Sequence, residues 1–177
     1  MRTVVASIEG EFRRYKALGE GALRQLDPAE LVRRAPGGGN SVAILVWHVA
    51  GNFQSRFTDF LATDGEKPWR DRESEFAARE ASPAEVGEKW EEGWRVLLDA
   101  LAPLADADLA REARIRGQAL SVLEALHRAL AHASYHVGQI VLLARSLRAE
   151  AWEFLTIPPG GSDAYNRNPT REKGPPR

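Results

Sequence analysis

Ala131-His132-Ala133-Ser134-Tyr135-His136-Val137-Gly138-Gln139-Ile140-Val141 is the stretch from which the rest of the chain can be ordered. Around it, Val122, Ala125, Leu126, Ala129, Ala133, Ile140, Leu143, Ala144 and Leu147 recur at the 3.6-residue period of a long helix with one buried stripe. His132 and His136 lie one turn apart within that stripe, so both imidazoles leave the same face and point into the core. A single metal ion can take one nitrogen from each, but two ligands seldom hold a first-row metal, and a third is wanted from another element. Of the four histidines in the chain, His48 sits in the apolar run Val42-Ala43-Ile44-Leu45-Val46-Trp47-His48-Val49-Ala50, where a buried imidazole is costly without a partner. A site made of His48, His132 and His136 supplies that partner. The plainer alternative is that a histidine pair at this spacing arises by chance, as satisfied core or surface residues. A zinc protease is excluded, because position 133 is Ala where that motif needs Glu. His127 lies about 140° round the helix from His132 and is a bystander.

Upstream, Val4, Val5, Ile8, Phe12, Tyr15, Leu18, Ala22, Leu23 and Leu26 define a first amphipathic helix from Thr3 to Leu26, weakened by Gly10, Gly19 and Gly21 and so dependent on packing. Asp27-Pro28 ends it, and Ala35-Pro36-Gly37-Gly38-Gly39 cannot be regular structure. Asn40 is placed to cap a second helix from Ser41 to about Leu61, apolar almost all round at first and then polar at Asn52, Ser55, Arg56 and Asp59. Those polar positions fit either a polar cavity or a solvated face.

The connection from Asp64 to Ser82 is unusually long for neighbouring antiparallel helices. Extended, it spans on the order of 60 Å against about 30 Å for a 20-residue helix. It can therefore return the chain along the whole molecule and leave the third helix parallel to the second. Trp69 and Phe76 within it are expected to cover part of the core. Ser82-Pro83-Ala84-Glu85 opens that third helix, with Val86, Trp90, Trp94, Leu97, Leu98 and Leu101 as its stripe, and Ser121-Val122-Leu123-Glu124 opens the fourth. Between them the chain is charged and irregular, with residues 113–116 possible strand. The expectation is an all-α four-helix bundle with a long crossover between helices 2 and 3, up-down-down-up, in a single domain of residues 1–166. Residues 167–177 follow as a disordered tail.

A chain of 177 residues suits one core. Lys+Arg 24 against Asp+Glu 25 leaves a net charge of -1, which argues against nucleic acid and an anionic membrane as partners. The absence of cysteine removes disulfides, thiolate-bound zinc and thiol nucleophiles, and fits a reducing compartment. No stretch has signal-peptide or membrane-spanning character, so a soluble, cytoplasmic protein is expected. The large apolar residues on helices 1 and 3 exceed what one bundle needs and suggest a homodimer.

In order and separation, the chain resembles the DinB-like superfamily of metal-binding four-helix bundles, and within it a branch of unassigned function. The motifs that carry the likeness are Asn40-Ser41-Val42-Ala43-Ile44, Trp47-His48-Val49-Ala50-Gly51-Asn52-Phe53, Asp64-Gly65-Glu66-Lys67-Pro68-Trp69-Arg70, Trp90-Glu91-Glu92-Gly93-Trp94, Ile115-Arg116-Gly117 and residues 55–61 and 132–141. The likeness covers residues 3–166. It implies that His48, His132 and His136 are the metal ligands, with zinc or nickel the most typical ion and water in the remaining positions. It implies no single activity: some relatives transfer low-molecular-weight thiols or isomerise small acids with a thiol cofactor, and others are hydrolase candidates. Two readings stand. One is a metal-dependent enzyme, hydrolase or thiol S-transferase, acting on a small molecule, with Arg56, Asn52 and Gln139 placed by their helix faces to orient it and no catalytic residue assigned. The other is a non-catalytic metalloprotein in which the ion is structural and the surface binds a protein partner.

Overall fold

The structure is a computed structural model that describes residues 1–170. It is predominantly helical, with one two-stranded sheet. Helix α1 (Thr3–Leu23) buries Val5, Ile8, Phe12 and Ala22, the stripe read from the sequence. Gly19 and Gly21, which cost this helix propensity, leave room for the Trp90 ring and for Leu155. Asp27 does more than stop α1. Its side chain and that of Glu30 form a reciprocal capping box that starts the short helix α2 (Pro28–Val32).

Helix α3 (Val42–Phe57) is capped by Ser41, whose hydroxyl accepts from Ile44 N–H at 3.2 Å, and not by Asn40 as expected. It also stops at Phe57 rather than Leu61, because the chain turns through Asp59 at a φ of 50°. The long connection carries one turn of helix, α4 (Arg72–Glu75), capped by Asp71. Trp69 does not cover the core: it is 57% exposed. Phe76 does face inward, with its ring centroid 4.7 Å from that of His48.

Helix α5 (Pro83–Leu101) begins at the Ser82–Glu85 capping box and buries Val86, Trp90, Trp94, Leu97 and Leu101. Phe12, Phe53 and Trp94 meet edge-on at the centre, with Trp94 completely buried. Each such side chain contributes about 1.5–3 kcal/mol by burial. At Gly93 the approach of α5 to α3 is close enough that a Cβ would run into the backbone of Ala50. Most of the large residues in the α1 and α5 stripes are thus buried inside the chain, while Val4 stays 44% exposed.

The predominantly helical chain carries one small strand element, where the sequence leaves residues 113–116 as possible strand. Residues 112–121 form a hairpin, β1 (Glu112–Ile115) and β2 (Gln118–Ser121), antiparallel in the register Glu112↔Ser121 to Ile115↔Gln118. Its two-residue turn, Arg116-Gly117, has φ of 55° and 73°, the left-handed pair that matches the twist of a tight hairpin. Helix α6 (Val122–Arg148) follows directly from the Ser121–Glu124 capping box.

Arg2 at the start of α1 donates to the carbonyls of Leu101 and Leu104 at the end of α5, while Leu23 and Leu26 share a groove with Val86 and Trp90 at its start. Those two helices therefore run in opposite directions. At the other end of α6, Arg148 pairs with Glu30. After a last short helix, α7 (Ser162–Asn166), the described chain ends at residue 170; residues 171–177, most of the segment expected to be disordered, lie outside the described residues.

Candidate metal centre

Helix α3 carries His48 into the core, where it is 5% exposed, and α6 brings His132 and His136 against it from the opposite side. One candidate ligand nitrogen from each of the three lies within 4.8 Å of the others. The Nε2 atoms of His48 and His132 are 3.2 Å apart. Two nitrogens bound tetrahedrally at about 2.0–2.1 Å from one ion would be roughly 3.3 Å apart, so this pair already has the spacing of a shared cation.

The second nitrogen of each ring decides what the first offers. His48 Nδ1 donates to Glu75 Oε2 at 2.8 Å, and Arg70 grips the same carboxylate through Nε at 2.8 Å and Nη2 at 3.0 Å. Burial would raise the Glu75 carboxyl, but the His48 and Arg70 hydrogen bonds outweigh it and hold the group below its ordinary value. Glu75 is thus an anion that fixes the His48 tautomer and leaves the Nε2 lone pair facing inward, the arrangement common behind a metal-bound imidazole. His136 Nδ1 donates to Gln139 Oε1 at 2.8 Å, which likewise frees Nε2. His132 Nδ1 is buried without a hydrogen-bond partner among the described residues.

Protons compete poorly for His132 and His136. Burial, together with the neighbouring His136, His48 and arginine charges, pushes His132 down to about 3, and burial also lowers His136. Both are neutral at physiological pH and available as ligands. Donor type, spacing and tautomer all fit a divalent ion.

Beside the histidines is a cavity of about 200 Å³, walled by α3, α6, the hairpin tip and the long connection. Asn52 and Arg56 line it together with His48 and His132, so these two polar positions mark a cavity, whereas Ser55 is buried with its hydroxyl donating to the Gly65 carbonyl and Asp59 is exposed beyond the helix end. A protein-family model described as "Protein of unknown function (DUF1572)" matches residues 2–161. The chain belongs to this family. No curated protein matches it.

In this DUF1572 chain the three expected histidines converge, and His127 is exposed away from them, as its helical phase predicts. Gln139 positions His136 and does not line the cavity. The residues missed by sequence reasoning are Glu75 and Arg70. They come from the long connection, where no periodicity marks a side chain as inward, and the only clue is the one turn of helix begun by Asp71. Two of the sequence motifs also turn out to be halves of one contact. Asp64 accepts from the backbone N–H groups of Glu66, Arg116 and Gly117 at 2.7, 2.8 and 2.7 Å, and these bonds hold its carboxyl down at about 2. The hairpin tip is thereby fastened to the long connection.

Proposed function

We propose that this chain is a divalent-metal-binding protein of the DinB-like type, with His48, His132 and His136 as the protein ligands and zinc or nickel as the ion. The observation that carries this reading is the convergence of three imidazoles, two of them with tautomers set by Glu75 and Gln139, with His48 and His132 at the edge of an open cavity. Three histidines leave coordination positions free, the pattern of a catalytic shell rather than a closed structural one. When bound, such an ion supplies Lewis acidity that lets a water or a thiol lose its proton near neutral pH. We therefore favour a metal-dependent enzyme, a hydrolase or thiol S-transferase, working on a small molecule in the cytoplasm. The opposed run of α1 and α5, and the length of the connection between α3 and α5, support a four-helix bundle in which α3 and α5 are parallel, up-down-down-up.

One observation favours the second reading, a non-catalytic metalloprotein. Glu75, the carboxylate nearest the histidines, is committed to His48 and Arg70 and is not free as a general base. Elemental analysis of the wild type and of His48→Ala tests the metal site: one equivalent in the first and little in the second is expected, and equal content in both overturns it. Turnover of thiols, small esters and amides by the metal-loaded protein then separates enzyme from structural site. Among the described residues no helix is long and apolar enough to cross a membrane.

A further inference from the structure

Five arginines, Arg56, Arg70, Arg72, Arg116 and Arg128, line the cavity that His48 and His132 border, and no carboxylate is among its lining residues. Their commitments differ. Arg70 is fully engaged by Glu75 and its side chain is 3% exposed. Arg56 and Arg116 share the single carboxylate of Glu66, at 3.1 and 2.8 Å. Arg72 has only a solvent-facing pair with Glu73 at 3.1 Å, an interaction of little strength, and it rests on the Phe76 ring. Arg128 has no hydrogen-bond or ion-pair partner among the described residues. It sits one turn before His132 on α6, on the same face. Small side chains at Ala125 and Ala129 on that face keep the space beside it open.

A guanidinium is a planar fork of donors matched to carboxylate and phosphate oxygens, and it is more weakly hydrated than an ammonium group. Several forks turned into one concavity, with too few carboxylates to satisfy them, form a receptor for an oxyanion. The cavity, about 200 Å³ and open on one side, has room for a small organic anion. We infer that the substrate carries a carboxylate or phosphate group, bound by Arg128 with Arg116 and Arg72, which sets its reactive part beside His48 and His132. The inference deepens the proposed metal-site function, but the arginine subsite is present without an ion.

The test is calorimetric titration of the full chain with orthophosphate and, separately, with succinate, in a buffer free of other oxyanions and at low salt, where charge pairing is least screened. Metal-free and zinc-loaded protein are compared for the wild type, Arg128→Ala, Arg116→Ala and His48→Ala. Saturable one-to-one binding of at least one probe is expected, weakened about tenfold or more by either arginine substitution, with zinc content unchanged. Binding of phosphate alone assigns a phosphate-bearing substrate, and binding of succinate alone a carboxylate. Metal-free His48→Ala should still bind the anion, so loss of zinc in that variant speaks only to the metal reading. The inference is overturned if neither probe binds, or if the probe binds equally well after both arginine substitutions, including the case where it binds only the zinc-loaded protein.

Discussion

Gly51→Ala separates metal affinity from fold stability. Gly51 lies inside α3, and a Cβ built on it would collide with Glu75 Oε1 and come within 2.8 Å of Glu75 Cδ. The carboxylate is the end of a flexible chain, so the clash can be relieved by a retreat of about 1 Å, which takes the 2.8 Å bond from His48 Nδ1 beyond hydrogen-bonding reach. Losing the partner behind a ligating imidazole typically costs about 10–100-fold in metal affinity, or about 1.4–2.7 kcal/mol. In the metal-free protein the loss of the buried His48–Glu75 bond, about 1–3 kcal/mol, opposes the gain of about 1 kcal/mol from Ala over Gly in a helix, so stability should change little or fall slightly. Zinc affinity is measured by competition with a chromophoric chelator, and stability by urea unfolding of the metal-free protein. Glu75→Gln, which keeps the acceptor but loses the charge, should move affinity in the same direction. Gly51→Ala binding within about twofold of wild type, with an unchanged melt, would refute the role given to the Glu75–His48 bond.

Three further outcomes are expected. His132→Ala and His136→Ala should each lose most bound metal while His127→Ala retains it; equal loss in all three would contradict the placement of His127. In metal-free protein, His132 is held near 3 when folded against 6.5 as its ordinary value, so the unfolded chain takes the proton first as pH falls. Stability should be flat above about pH 6.5 and fall by about 1.4 kcal/mol per unit below it, some 2 kcal/mol by pH 5, before most carboxylates titrate. The slope between pH 6.5 and 5 should flatten in His132→Gln, and an identical slope would show that another group is responsible. Chelation should lower the melting temperature by about 5–10 °C if the ion was present at about 100 times its dissociation constant, with helical circular dichroism intact at 25 °C. Complete unfolding on chelation would instead mark the site as structural.

The helices were legible because burial imposes a period on each of them, and three of their starts could be placed because Ser82–Glu85, Ser121–Glu124 and the Ser41 region carry capping chemistry. The boundary errors are local competitions. Asn40 and Ser41 are both good caps, and which is used depends on how the glycine-rich turn delivers the backbone. The hairpin was half seen because its turn, Arg116-Gly117, lacks the Asn-Gly or Asp-Gly signal, and because it is tied by Asp64, far away in sequence. The same holds for the site. His48, His132 and His136 share a requirement that spacing and apolar context reveal, whereas Glu75, Arg70 and the convergence of Arg72, Arg116 and Arg128 depend on where a non-periodic connection folds back.

The Asp64 clasp on the hairpin tip has a consequence for how such a pocket can diversify. All three of its bonds are made to backbone N–H groups, and none to the Arg116 side chain. The wall of the cavity is therefore positioned without reference to the chemical group it displays. A residue that tolerates the left-handed turn, such as Asn in place of Arg116, can change what the wall recognises while the wall itself stays where it is, and one scaffold can in this way be retuned to substrates of different charge.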